Sequence, residues 1–274
     1  MGDGSDPTEP ATRTAIETLR VAPDGAWPAT RIVAAETPVA ISFLGIGYAV
    51  MMATPADLED FGVGFACAER LITGADQVTD ISIRPEPPGI LLNLELVREC
   101  EDSLLQRVRH RVGESSCGIC GIENMAQALR PLPRVGAPAA SISRATLFAS
   151  LETLRDHQPL NAQTGAVHAA ALFDSAGALV AVREDVGRHS AFDKLIGHCL
   201  RTGIDPSNGF ALLTARCSFE LVEKAALAGI PLLVTISAPT SLAVERAREA
   251  GLTLVALARS DAMLVVSDPH GLFG

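Results

Sequence analysis

The second half of the chain alternates apolar runs with segments of helical spacing, and this alternation constrains the fold more than any other feature. The apolar runs FALLTAR, IPLLVTISA and LTLVALAR are separated by the helical segments SFELVEKAALAG and SLAVERAREAG. The predicted helices end at Gly203, Gly229 and Gly251, where glycine commonly closes a helix. Because strands that alternate with helices form parallel sheets, we predict an α/β domain with a largely parallel sheet. A hairpin of TGAVHAAALFD and ALVAVRED and the helix RHSAFDKLIGHCLRTG precede these runs.

The first half has a different pattern, with more β-rich runs and fewer helical segments. AWPATRIVAAETPVAISFLGIGYAVMMAT predicts two or three strands, PADLEDFGVGFACAERLI a helix, and VTDISIRP and GILLNLELV two further strands. We therefore predict an N-terminal α+β domain over residues 26–128 and an α/β domain over residues 144–274. Residues 129–143, rich in Pro and Gly, are the predicted linker. Residues 1–25, whose first part is acidic and polar, are predicted to be a disordered tail.

Composition and charge exclude several classes of protein. A formal charge of -10 and a pI near 5.1 argue against a general nucleic-acid binder, which carries a basic face. The longest mostly apolar run, Val39 to Ala53, is broken by glycines and falls short of the ~20 residues that a membrane span needs. Six cysteines with one close pair do not resemble a secreted disulfide framework, and the N-terminus has no secretory signal pattern. We expect a cytoplasmic protein with reduced thiols that binds neither nucleic acid nor membranes.

Three junctions between a predicted strand and the following helix are polar: REDVGRHSAF, TARCSFE and SAPTSLAVE. Ligands of such sheets bind beyond the carboxyl ends of the strands, where helix N-termini present free N–H groups. The junctions therefore predict a site for a phosphate-bearing ligand. Two plainer interpretations stay open, that some of these residues only cap helices and that the histidine in TGAVHAAALFD is a hydrogen-bonded structural residue. The candidate binding residues are His168, Arg188, His189, Arg216, Ser218, Ser237, Thr240 and Ser241.

The segment GESSCGICGIEN contains the close cysteine pair, Cys117 and Cys120, in a C-x-x-C spacing. A structural zinc site needs four ligands, and the other cysteines are isolated. A disulfide oxidoreductase would place the pair at the start of a helix after a strand, and no strand immediately precedes it. A glycine after each cysteine favours a loop that accepts sulfur and delivers it elsewhere. The basic residues of the preceding LLQRVRHRV would favour the thiolate, although a solvated helix face explains them equally well.

The chain from about Ala26 onward resembles the FdhD family of accessory sulfurtransferases of formate dehydrogenase. The matching segments are ETPVAI, VMMATPADLEDFGVGF, CGICG, QTGAVHAAAL, EDVGRHSAFDK, TARCSFELVEKAALAGIP and SAPTSLAVERAREAGLTLVALAR. Each segment is weak alone, but their number and order make the resemblance specific. The resemblance implies a homodimer and a cytidine-deaminase-like fold for the second half.

The resemblance also implies a function. Members of the family pass sulfur from a cysteine desulfurase to the molybdenum bis(molybdopterin guanine dinucleotide) cofactor before it enters formate dehydrogenase. Cys117 corresponds to the family's persulfide carrier and Cys120 to its companion. The cofactor, including its guanine nucleotide, is a bound substrate in this scheme, and no tightly held metal is expected. The cofactor-binding segment of the family corresponds to Leu257, Ala258, Arg259, Ser260, Asp261 and Ala262.

The sequence departs from the family pattern in three places, and the implied fold raises a rival function. Thr214-Ala215-Arg216 stands where members often have Ser-Gly-Arg, Ser190 where Asn is common, and Asp261 and Ala262 where members commonly keep a Gly and an Arg. A zinc deaminase would need a His-x-Glu and a Pro-Cys-x-x-Cys, which His168 and Cys217 do not supply. A chaperone that binds the cofactor without chemistry, or a thiol-disulfide oxidoreductase, remains an alternative.

Overall fold

The N-terminal half contains a four-stranded sheet and a separate hairpin. The computed structural model describes residues 11–112 and 129–273. The four-stranded sheet has the order β4-β3-β6-β5, in which β3 and β6 are parallel and the outer pairs antiparallel. The elements are β1 (Arg13–Ala22), β2 (Gly25–Ala34), β3 (Thr37–Phe43), β4 (Ile46–Ala53), α1 (Leu58–Ala68), β5 (Val78–Glu86), β6 (Gly89–Leu96) and α2 (Glu101–Val112).

Strands β1 and β2 form a two-stranded hairpin that pairs Arg13 with Ala34 and Ala22 with Gly25. The prediction of a disordered tail over residues 1–25 is therefore wrong for residues 13–25. The acidic composition behind that prediction ends near residue 10, and the Thr, Ile, Leu and Val that follow are strand-forming residues.

The C-terminal half is built on a six-stranded sheet of order β12-β11-β10-β9-β7-β8. Only β9, β10 and β11 pair in parallel; β7, β8 and β12 join antiparallel, so the sheet is mixed and not largely parallel. The predicted order of strands and helices is confirmed. The elements are α3 (Arg144–Asp156), α4 (Pro159–Thr164), β7 (His168–Asp174), β8 (Leu179–Asp185), α5 (Arg188–Thr202), β9 (Gly209–Leu213), α6 (Phe219–Leu227), β10 (Leu232–Thr235), α7 (Ser241–Ala250), β11 (Thr253–Ala256) and β12 (Leu264–Ser267).

Helices α1 and α5 cross at backbone contact and join the two halves. A Cβ atom added at Gly64 would lie 1.8 Å from the carbonyl oxygen of Asp193, and one at Gly197 would lie 1.8 Å from that of Asp60. Only glycine permits so close an approach. One apolar core, including Phe61 of α1 and Phe192 of α5, runs through both halves.

The residues between the two halves pack against the C-terminal half. Val135 and Ile142 are buried, and the N–H of Val135 donates to the carbonyl of Ala250 at 2.7 Å. The division into two domains at residues 129–143 stays a prediction. Within the described ranges, no helix is long and apolar enough to cross a membrane.

Candidate functional site

The loops that follow the three parallel strands meet at one edge of the six-stranded sheet. Backbone hydrogen bonds tie them together: the N–H of Leu257 donates to Ser237 at 3.2 Å, and the N–H of Cys217 donates to Ala238 at 3.2 Å. The N–H of Thr240 returns a bond to Cys217 at 3.0 Å. Because these bonds join loop to loop, residues far apart in sequence converge at the carboxyl ends of β9, β10 and β11, the edge where open α/β sheets bind ligands.

Two adjoining cavities open at this edge, and we call them together the strand-end cleft. The larger has a volume of about 770 Å³ and lies between helices α3 and α4 and the loop after β11. The smaller has a volume of about 370 Å³. Both are lined by His168, Thr214, Ile236 and Arg259. The cleft brings together seven of the residues singled out from the sequence: His168, Arg188, Arg216, Ser237, Ala258, Arg259 and Ser260.

Three arginines give the smaller cavity a positive charge. Arg188, Arg216 and Arg259 line it, and no described carboxylate does. Within the described part of the chain none of the three forms a salt bridge, and the Nε of Arg188 is buried without a hydrogen-bond partner. Guanidinium groups bind phosphate through two parallel hydrogen bonds. The smaller cavity is therefore suited to a phosphate group.

His168 is held at the junction of the two cavities. Its Nδ1 lies 3.1 Å from the carbonyl oxygen of Thr214, which can only accept, so Nδ1 carries a proton and donates this hydrogen bond. The hydroxyl of Thr214 accepts a hydrogen bond from the N–H of Ala169 at 2.7 Å. The histidine is thus hydrogen-bonded, as the plainer interpretation proposed, and it also lines the cleft.

Other predicted residues have local partners and line neither cavity. Thr240 caps α7, accepting from the N–H of Ala243 at 3.2 Å, so the capping interpretation is right for this residue. The hydroxyl of Ser218 donates to Glu220 at 3.1 Å, and His189 Nε2 lies 3.4 Å from the same carboxylate. Burial lowers the pKa of His189 to about 4, against the opposing effect of Glu220.

The predicted cofactor segment over residues 257–262 divides between two environments. Ala258, Arg259 and Ser260 line the larger cavity of the strand-end cleft. Leu257 has a φ of 51°, in the left-handed region that non-glycine residues rarely adopt, and such strain concentrates at ligand sites. Ala262 lines a neighbouring apolar cavity of about 320 Å³, and its carbonyl accepts from the N–H of Arg259 at 2.9 Å. Asp261 is exposed and lines neither cavity of the cleft.

One wall of the larger cavity was not predicted from the sequence. Glu152, Arg155, Gln158 and Asn161 line it from α3, α4 and the turn between them. These helices precede β7 and belong to no strand-to-helix junction, so the rule that found the other residues does not reach them. The polar residues of QPLNAQT, just before a predicted strand, are the only local signal.

The two cysteines of the C-x-x-C motif, Cys117 and Cys120, lie outside the described residues, and so do the side chains of the basic residues from 109 to 111. The other four cysteines are buried. Burial raises the pKa of Cys67 and Cys199 to about 11 and that of Cys217 to about 12. Burial also raises the pKa of Cys100. Because the thiolate is the nucleophile, these four thiols are unreactive near neutral pH.

Among the described residues, no three His, Cys, Asp or Glu side chains are grouped closely enough to hold a metal ion.

The comparison with known families decides the classification. A model of the FdhD/NarQ family matches residues 34–273. The chain belongs to the FdhD/NarQ family. The resemblance drawn from the sequence motifs is thereby confirmed.

Individual FdhD/NarQ relatives agree with this assignment. A protein of Xanthomonas euvesicatoria pv. vesicatoria (strain 85-10), named sulfur carrier protein FdhD, is 47% identical over 241 residues, which are 88% of this chain and 85% of the relative. One of Bordetella bronchiseptica with the same name is 41% identical over 87% of this chain and 86% of its own. The crystal structure of a formate dehydrogenase accessory protein from Desulfotalea psychrophila superposes with a TM-score of 0.75 at 26% identity, covering 94% of this chain and 98% of the other.

Proposed function

We propose that this chain is a sulfurtransferase that accepts sulfur on Cys117 and delivers it to the molybdenum bis(molybdopterin guanine dinucleotide) cofactor of formate dehydrogenase. The observation that carries the proposal is the state of the other cysteines. All four are buried and have raised pKa values, so Cys117 and Cys120 are the remaining candidates for a reactive thiolate. The names of its relatives, sulfur carrier and formate dehydrogenase accessory protein, support the same function.

Sulfur loading is a thiol exchange reaction. The Cys117 thiolate attacks the terminal sulfur of a persulfide on a cysteine desulfurase, a new S–S bond forms on Cys117, and the desulfurase thiolate leaves. No net oxidation occurs in this step. The Cys120 thiolate can then attack the inner sulfur of the Cys117 persulfide, which releases hydrosulfide to the acceptor and leaves a Cys117–Cys120 disulfide. A dithiol reductant must reduce that disulfide before the next cycle.

The strand-end cleft supports binding of the cofactor through its guanine nucleotide. Arg188, Arg216 and Arg259 would hold a phosphate in the smaller cavity. The larger cavity, at about 770 Å³, has room for a nucleoside and offers hydrogen-bonding groups on Asn161 and Glu152. The cofactor is cargo in this scheme, since it enters, receives sulfur and leaves for formate dehydrogenase. A homodimer, as the family resemblance implies, and a cytoplasmic location, as expected from the composition, are parts of the same proposal.

The experiment that tests sulfur carriage is intact mass spectrometry after incubation with a cysteine desulfurase and cysteine. The expected result is an increment of one sulfur atom that a reductant removes. Cys117→Ala should abolish this increment. Cys120→Ala should load sulfur but transfer it poorly to the cofactor. Cys217→Ala is the matched control, and it should load normally because that thiol is buried.

Three outcomes would change the proposal. Labile sulfur on Cys117→Ala but not on Cys120→Ala would reverse the roles of the two cysteines. Sulfur retained by the double variant would refute carriage by the pair. A wild-type protein that binds guanosine diphosphate, restores formate dehydrogenase and never carries sulfur would be a cofactor chaperone.

A further inference from the structure

A second group of arginines lies where the end of α1 meets residues 129–131. We call Arg70, Arg107, Arg130 and Arg246 the arginine cluster. Arg70 Nη1 donates to the carbonyl oxygen of Pro131 at 3.0 Å, and Arg246 Nη2 donates to that of Arg130. None of the four lines the strand-end cleft. In sequence, Arg107 precedes and Arg130 follows residues 113–128, which contain the cysteine pair.

Arg246 has a structural role in this cluster. It is 4% exposed, and its Nη2 lies 2.6 Å from Oε1 of Glu223. Its Nη1 lies 2.5 Å from Oε2 of Glu249. This guanidinium is therefore neutralised twice within the fold, and it uses two of the nearby carboxylates.

The remaining arginines are not neutralised in the same way. Arg107 pairs with Glu69 at 3.7 Å and also donates to its carbonyl oxygen at 2.5 Å. In the described ranges no carboxylate forms a salt bridge with Arg70 or Arg130. The Nη2 of Arg70 is buried there without any hydrogen-bond partner. Because a buried donor without an acceptor is costly, this group is expected to have a ligand.

The backbone conformation of Arg70 also supports a ligand-binding role for its side chain. Arg70 ends α1 with a φ of 59°, and the N–H of Leu71 closes the helix by donating to Ala66 at 2.9 Å. Glycine fits this left-handed position without strain, and four other helices end with it. An arginine at this position strains the backbone, and glycine would end the helix with less strain. We therefore attribute the presence of the arginine to a role of its side chain. The glycines that end α4 to α7 are Gly165, Gly203, Gly229 and Gly251.

Electrostatics adds a supporting observation. Burial lowers the pKa of Arg130, and the positive charges of Arg107 and Arg70 lower it further, against smaller opposing effects of Glu69 and Glu223. Burial also lowers the pKa of Arg70; Glu223 opposes this, and the charges of Arg107 and Arg246 add smaller effects in the same direction as burial. The arginines thus repel one another, and a bound anion would relieve that repulsion.

We propose that Arg70, Arg107 and Arg130 form a binding site for a small oxyanion of the phosphate or sulfate class, separate from the strand-end cleft. Planar guanidinium groups bind such anions through paired hydrogen bonds, and the buried Nη2 of Arg70 suits a small group. The oxyanion is either a free inorganic ion or the terminal phosphate of a nucleotide. The site does not depend on the proposed sulfur transfer.

The test is thermal unfolding of the full chain, purified without phosphate or sulfate, as inorganic phosphate is added. Sodium chloride at equal ionic strength corrects for general screening. Phosphate should raise the Tm of the wild type, because a ligand of the folded state stabilises it. Arg130→Ala should abolish the rise, and Arg248→Ala, an exposed arginine elsewhere, should retain it. Guanosine diphosphate affinity unchanged in Arg130→Ala identifies a free ion, and weakened affinity identifies the nucleotide phosphate.

Arg70→Gly separates binding from structure. The variant should lose the phosphate effect while its Tm without phosphate stays close to that of the wild type, because glycine removes the backbone strain and so offsets the lost hydrogen bond to Pro131. The site is refuted if Arg130→Ala and Arg70→Gly respond to phosphate as the wild type does.

Discussion

Charged side chains occur both in the strand-end cleft and at the α1–α5 interface, but the fold treats them in opposite ways. At the interface, Asp60 is buried and binds Arg183 at 2.8 Å and Arg201 at 2.6 Å. In the cleft, Arg188 and Arg216 have no salt bridge among the described residues. The difference teaches that carboxylate–guanidinium pairs within the fold hold the two halves together. Arginines without a carboxylate partner are available to bind a ligand.

The largest expected effect comes from removing Lys194, whose Nζ lies 2.6 Å from Asp185 with both side chains fully buried. Lys194→Met leaves a buried carboxylate without its partner, which should cost about 3–5 kcal/mol of unfolding free energy. Urea unfolding of the variant and of the Lys194→Met/Asp185→Asn double variant measures this. The double variant should recover part of the loss, because neither charge is then buried alone.

The same variant has a predictable pH dependence. Burial already raises the pKa of Asp185, and Lys194 opposes that rise. Without the lysine, the loss of stability comes from burying the ionised carboxylate of Asp185. The loss is therefore present above the folded-state pKa of Asp185, and it disappears as pH falls and the carboxylate is protonated. The gap between the wild type and Lys194→Met should shrink on acidification. A single variant as stable as the wild type at pH 7 would show that this buried pair does not stabilise the fold.

The next effect is steric and tests the close crossing of α1 and α5. Gly64→Ala places a methyl group 1.8 Å from the carbonyl oxygen of Asp193, and the helices must separate. We expect a loss of about 2–3 kcal/mol, in the upper range for overpacking. Gly136→Ala is the matched control, since nothing lies within 4 Å of its added methyl group. Equal urea midpoints for Gly64→Ala and the control would contradict the crossing.

The last prediction concerns His189, whose partner Glu220 lies on helix α6 of the same half. Its pKa is about 4 when folded, below the ordinary value of 6.5, so the unfolded chain binds more protons between these pH values. The wild type should therefore lose stability as pH falls from 6.5 towards 4, by up to about 1 kcal/mol per pH unit from this group. His189→Gln should flatten the curve. Asp193, with a pKa raised to about 6, acts in the opposite sense, so the difference between the two curves is the quantity to measure.

The sequence predicted the local elements of the C-terminal half well, because each depends on nearby residues. The helix ends at Gly203, Gly229 and Gly251 have positive φ values as expected. The mixed sheet was not predicted, since β9 pairs in parallel with β10 on one edge but antiparallel with β7 on the other, and the second pairing depends on distant residues. The hairpin that begins at Arg13 was missed because an acidic terminal stretch masked strand-forming residues.

The sequence predicted those cleft residues whose location is set by the position of the backbone alone. Arg216 and Ser237 follow strands that end at the cleft, so the strand-end rule found them. His189 was predicted as a binding residue, and it lines neither cavity of the cleft, because the direction of a side chain on the first turn of a helix decides its contacts. Asn161 was missed, since only tertiary packing brings α4 to the cleft.

The most direct test of the contrast between paired and unpaired charge is calorimetric titration of guanosine diphosphate into the wild type, Arg216→Ala and Arg248→Ala. Arg216 is exposed and has no salt bridge among the described residues, so its removal should leave the urea midpoint unchanged. The account predicts saturable binding by the wild type and by Arg248→Ala, and affinity at least about 10-fold weaker for Arg216→Ala, as expected for a lost charged hydrogen bond. A wild type that does not bind, or an Arg216→Ala variant that binds equally well, would contradict it.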